Sequence, residues 1–90
     1  MNPTEREQVR LSLLRYMASN RSGYGLPARA LRQYLHAEGT SVDLATVEAE
    51  MQYLVDKGLA EEIAKTLSPE IRVWRITAGG RDLLATVQGE

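Results

Sequence analysis

A mainly α fold with one small β-hairpin (an α+β chain ordered helix, helix, helix, strand, strand, helix) is predicted by three observations. Apolar residues recur three and four apart in three separate stretches: Val9, Leu13, Leu14 and Met17; Leu31, Tyr34 and Leu35; and Leu44, Val47, Met51, Leu54 and Val55. Val55-Asp56-Lys57-Gly58-Leu59-Ala60-Glu61-Glu62 then ends a helix at a glycine and enters a strand. Trp74-Arg75-Ile76-Thr77-Ala78-Gly79-Gly80-Arg81-Asp82-Leu83-Leu84 leaves a strand through a threonine cap into another helix. Between these two junctions there is room for a single hairpin.

The first helix begins at Asn2-Pro3-Thr4-Glu5. Asn2 can accept from an orphan amide, Pro3 suits the first helical position, and Glu5 and Glu7 favour the positive helix end. Leu11 and Tyr16 lie off its apolar stripe. It stops near Ser19-Asn20, where Asn20-Arg21-Ser22-Gly23-Tyr24-Gly25 makes a turn-rich linker. Pro27 opens the second helix, with Arg29, Arg32 and Gln33 outward, and Gly39 sits where a left-handed C-terminal residue is wanted. Either Ser41 or Asp43 caps the third helix, which closes on Gly58. Its core stripe leaves Ala45, Thr46, Ala49, Glu50 and Tyr53 on the opposite face, flanked by Glu48, Gln52 and Asp56.

Residues 59–65 and 71–76 read as strands, with Leu67-Ser68-Pro69-Glu70 as the turn between them. Trp74 and Ile76 share one strand face, which assigns Trp74 to packing rather than ligand stacking. Thr77 caps the fourth helix, whose Leu83, Leu84 and Val87 can return to the core. Gly79 and Gly80 specify its first turn weakly.

Ninety residues, 43% hydrophobic and 26% charged, fit one globular domain. No apolar run reaches the roughly 18 residues of a membrane span, and the polar start is not a secretory signal. Cysteine is absent, which excludes disulfides and thiol chemistry and fits a reducing interior such as the cytoplasm. The net charge of −1 is segregated along the chain. Residues 1–36 carry +4, residues 37–64 carry −6 and residues 65–81 carry +3. Segregation of this kind bears on the choice of partner more than the total does.

The order of elements, with the Gly39 turn, Tyr53-Leu54-Val55-Asp56-Lys57-Gly58-Leu59 and Trp74-Arg75-Ile76-Thr77-Ala78-Gly79-Gly80-Arg81, resembles the winged helix-turn-helix regulators of bacteria and their phages. A closer likeness is to small winged-helix proteins of Mu-like prophages. The resemblance implies a transcriptional regulator that binds double-stranded DNA as a homodimer. Its third helix would lie near the major groove, and its second helix and wing would hold phosphates.

Surface chemistry supports this unevenly. From Asp43 to Lys57 there are four acids and one lysine, a net of −3, and the outward face has no Arg or Lys for guanine readout. The positive charge frames that helix instead, so the candidate DNA contacts are Arg21, Arg29, Arg32, Lys65 and Arg72 for phosphates. Thr46, Gln52 and Tyr53 are the candidates for the groove. Ordinary solvated charges, some paired with Glu61, Glu62 or Glu70 across the hairpin, are the competing reading for these cations. Leu11, Leu84 and Val87 on the terminal helices are the candidate dimer residues. The alternative function is a protein-interaction module using the acidic third helix around Tyr53. Catalysis has no support. His36 is the only histidine, and the carboxylate pairs Glu61-Glu62 and Glu48-x-Glu50 each point to different sides. We expect no metal and no cofactor.

Overall fold

The computed structural model describes residues 2–20, 25–63 and 71–87. Its elements are α1 (Pro3–Ser19), β1 (Leu26–Pro27), α2 (Ala28–Ala37), α3 (Leu44–Asp56), β2 (Ala60–Glu62), β3 (Val73–Ile76) and α4 (Ala78–Val87). The fold class is as expected, mainly α with a small antiparallel sheet. No helix among the described residues is long and apolar enough to cross a membrane.

Helix α1 starts where its cap predicts, with Asn2 Oδ1 accepting from the Glu5 amide at 2.8 Å. Val9, Leu13, Leu14 and Met17 are buried, together with Ser12, whose hydroxyl accepts from Arg15. The next segment differs from expectation. Leu26 and Pro27 form a short strand against β3, in the register Leu26↔Trp74 and Pro27↔Val73, so the sheet has three strands in the order β1-β3-β2. Pro27 is therefore the N-cap of α2 and not its first residue. Gly25 makes the approach possible. It lies at φ +77°, and a Cβ there would stand 2.7 Å from Ile63 Cδ1 and 2.9 Å from the Trp74 carbonyl oxygen. At a sheet edge the missing proline N–H is tolerated.

Helices α2 and α3 end in the same motif. The Thr40 amide donates to Leu35 O and the Gly39 amide to His36 O; the Leu59 amide donates to Leu54 O and the Gly58 amide to Val55 O. Gly39 and Gly58 take φ of +90° and +76°, the left-handed turn this motif requires. Of the two candidate caps, Asp43 starts α3, accepting from the Thr46 amide at 2.8 Å.

The core gathers Leu13 and Leu14 of α1, Leu31 and Leu35 of α2, Val47, Met51 and Leu54 of α3, and Trp74, all fully buried. Three side chains depart from their expected sides. Leu44, the first residue of α3, is 36% exposed, and Val87 is 51% exposed near the end of α4. Glu50, read as outward-facing, is 6% exposed. It lies three residues after Val47 and four before Leu54, on the core stripe. Its carboxylate is held by Arg10 Nε at 2.6 Å and Arg6 Nε at 3.5 Å, so its burial leaves no unpaired charge.

Strands β2 and β3 pair as Ala60↔Ile76, Glu61↔Arg75 and Glu62↔Trp74. Both strands are shorter than expected, with Leu59, Ile63, Ile71 and Arg72 outside them, and residues 64 and 65 and the turn at Leu67–Glu70 lie outside the described residues. Thr77 joins the hairpin to α4 as predicted. Its hydroxyl donates to Gly58 O at 2.6 Å and accepts from the Gly80 amide at 3.1 Å, while its own amide donates to Leu59 O.

Candidate nucleic-acid interface

A groove runs between the start of α2, one flank of α3 and the approach to β3. Its lining includes Arg29, Leu44, Glu48, Ile71 and Arg72. Antiparallel pairing of β1 with β3 brings the N-terminus of α2 to this place. The exposed side chains of Leu44 and Ile71 give the groove an apolar floor between two arginines.

Arg72 is its most heavily engaged group. Nε and Nη2 each stand 3.0 Å from a different oxygen of Glu62, a two-pronged carboxylate contact. Nη2 also reaches Gln52 Oε1 at 3.3 Å, and the guanidinium lies 5.0 Å over the Trp74 ring. Gln52 in turn donates to Asp56 Oδ1 at 2.9 Å. Asp56, Gln52, Arg72 and Glu62 thus form one chain of hydrogen bonds from the end of α3 to the hairpin. The Glu62 hydrogen bond is the main cause that raises the Arg72 pKa above the ordinary arginine value. A second cross-strand pair, Arg75 with Glu61, lies on the other face of the sheet.

The remaining candidates divide between two surfaces. Arg29 and Arg32 are exposed on α2, and among the described residues no ion pair involves either. Asp43 has its pKa lowered, chiefly by side-chain and backbone hydrogen bonds from Thr46, with a smaller pull from the Arg32 charge. Thr46 is half-buried. The outermost residues of α3 are Ala45, Ala49, Gln52 and Asp56, all exposed. Tyr53 faces away from the groove: the Arg10 guanidinium sits 3.5 Å over its ring centroid. Arg21 and Lys65 lie outside the described residues.

The Tyr53 side holds a second, apolar groove, walled by Leu11, Leu14, Tyr53, Leu59, Leu83 and Val87. Two of the three dimer candidates, Leu11 and Val87, therefore share one surface, whereas Leu84 is 6% exposed in the chain's own core. Sequence reasoning passed over Leu83 for this surface. Its spacing of four from Val87 is the signal that points to it. Leu44 was missed because its helical spacing puts it on the core stripe, and Ile71 because it enters the sequence reading only as part of a β-branched strand run. Among the described residues no cluster of three or more histidine or carboxylate side chains could hold a metal ion.

Comparison with protein-family models and with curated proteins returns no match. Solved structures do match. A Thermoplasma acidophilum protein assigned as a transcriptional regulator superposes with a TM-score of 0.80 at 11% identity, covering 94% of this chain and 79% of that one. A PadR-like transcription factor from Bacteroides fragilis gives 0.74 at 15% identity, covering 96% and 82%. A Staphylococcus aureus MepR variant bound to an oligodeoxyribonucleotide gives 0.71 at 16% identity, covering 96% and 62%. Nothing in these likenesses supports the expected link to Mu-like prophages. At such identities what is shared is the fold, a winged helix of four helices and a three-stranded antiparallel sheet.

Proposed function

We propose that this chain is a DNA-binding winged-helix domain of a transcriptional regulator. The observation that carries this reading is the meeting of Arg29 from α2 and Arg72 from the wing in one groove along a flank of α3. In a fold that regulators share over nearly the whole chain, cations so placed reach phosphates beside a groove-bound helix. Arg32, one turn further along α2, extends the same phosphate-binding frame. The outer face of α3 presents Ala45 and Ala49, whose small side chains let the helix approach base edges closely. In this reading Gln52 reads adenine and Thr46 touches a thymine methyl. Tyr53 leaves this contact set, because it belongs to the Arg10 side. The domain acts as a homodimer through Leu11, Leu83 and Val87, matching paired half-sites. The reading includes no catalytic step, metal or cofactor.

A second reading is favoured by one observation. The hairpin's own acids, Glu62 and Glu61, neutralise the wing cations Arg72 and Arg75, while α3 carries three acids and no arginine or lysine. A protein-interaction module would use the same acidic helix to meet a basic partner.

Fluorescence anisotropy on random duplex DNA at roughly 50 and 200 mM salt separates the two, since phosphate-driven affinity falls steeply over that span. Binding at the lower salt that weakens at the higher, and weakens further in Arg29→Glu, is the expected result. No binding at the lower salt overturns the DNA reading.

A further inference from the structure

The site that Arg72 would offer to a phosphate is already filled. Its Nε and Nη2 both point at Glu62, each at 3.0 Å, in the geometry by which a guanidinium grips any planar or tetrahedral oxyanion. The contact is held in place from several sides. Gln52 accepts from the same Nη2, the Trp74 ring underlies the guanidinium, and Glu62 stands directly across from Trp74 in the sheet. Both side chains are about two-thirds covered, 36% and 33% exposed, so the pair is partly shielded from water. The neighbouring pair, Arg75 with Glu61, is more open at 53% and 46% and faces the other way.

We infer that Glu62 is an internal competitor for DNA, a carboxylate lodged in the phosphate seat of Arg72. This inference rests on the DNA-binding reading above. The Nε–Nη2 edge of Arg72 grips one oxyanion at a time, so a phosphate takes that edge only after displacing the Glu62 carboxylate. Gln52 is tied into the same network, with its carbonyl on Arg72 and its NH2 group on Asp56, so releasing Arg72 also frees the carbonyl of the one amide side chain on the outer face of α3. The arrangement penalises random DNA, where few other contacts can drive the exchange. It penalises least a duplex on which Gln52 gains a base partner as Arg72 gains its phosphate. Glu62 is thereby a specificity-determining residue that never touches DNA.

The test compares wild type, Glu62→Gln and Glu61→Gln by anisotropy on random duplex DNA across a salt series. Both substitutions remove one negative charge from the same strand, but only the first frees Arg72. The expected result is about three- to tenfold tighter binding for Glu62→Gln than for Glu61→Gln, with a log–log salt slope steeper by about one phosphate contact. In Arg72→Gln the gain from Glu62→Gln should vanish, which rules out a general effect on the hairpin. Equal affinities and slopes for the two glutamine variants overturn the inference while leaving the DNA reading intact. Failure of all of these proteins to bind at low salt overturns both.

Discussion

Replacing Gly80 with alanine should destabilise this domain sharply, although alanine is the better helix former. A Cβ at Gly80 would lie 2.2 Å from the Leu59 carbonyl oxygen and 2.6 Å from Ile76 Cγ1. Neither neighbour is free to yield. The Leu59 carbonyl accepts from the Thr77 amide at 3.1 Å, and Ile76 is held in β3 opposite Ala60. Relief requires α4 to shift away from the hairpin by about the ångström that separates this clash from ordinary contact. Overpacking of this kind costs about 1–3 kcal/mol. Weakening the Thr77 to Leu59 hydrogen bond adds about 1 kcal/mol. Helix propensity returns about 1 kcal/mol. The net loss is about 1–3 kcal/mol, which lowers the melting temperature of a domain this size by roughly 5–20 °C. Gly79 is the internal control. A Cβ there meets Gly58 O at 3.2 Å and little else, so tightness and propensity nearly cancel. Thermal unfolding by circular dichroism should place Gly80→Ala far below wild type and Gly79→Ala within a few degrees of it. If the two variants melt together, α4 does not pack on the hairpin this closely.

Three further outcomes are expected. Glu50→Gln removes the buried charge that Arg10 and Arg6 share; breaking a buried pair costs about 3–5 kcal/mol, but these arginines are 22% and 53% exposed, so about 1–2 kcal/mol is expected by urea unfolding. A wild-type midpoint would show that the Glu50 contacts contribute nothing. The Asp43 carboxyl is held below its ordinary 3.8 by Thr46, so its contribution is complete above that value and is lost as pH falls through the folded-state pKa. The melting advantage of wild type over Asp43→Asn should therefore be constant at neutral pH and shrink as pH falls below 3.8 through the folded-state pKa, and a difference that stays flat would mean that the charge plays no part in the cap. Val87, 51% exposed on the apolar groove, can be changed to glutamate without unfolding the domain. Light scattering should then show a dimer falling to monomer, and an unchanged mass would dispose of the proposed interface between α1 and α4.

The elements were legible where their causes are local. Asn2, Thr77, Gly39 and Gly58 act within a single turn, and the core stripes of α1 and α3 repeat at helical spacing, so each can be read from a short window. Strand β1 was not legible, because two residues have no periodicity and their pairing partner lies far along the chain in β3. Glu50 looked like a surface residue since its burial depends on Arg10, 40 residues away. The same limit applied to the candidate interface. The cations of α2 and the wing could be named from composition, but the joining of Arg72 to Gln52 depends on how the wing folds back on α3. Tyr53 was grouped with Gln52 on spacing alone. The Arg10 guanidinium covering its ring assigns it to the other surface.

Residue-resolved NMR of the labelled protein, titrated with duplex DNA at low salt, would show most directly which surface works. Perturbed amides should cluster at residues 28–32, 44–52 and 72–75, with the Arg29 and Arg72 side-chain signals moving alongside them. Perturbation confined to Leu11, Tyr53, Leu83 and Val87, or none at all, would contradict the proposed interface and leave the acidic helix as a surface for a protein partner.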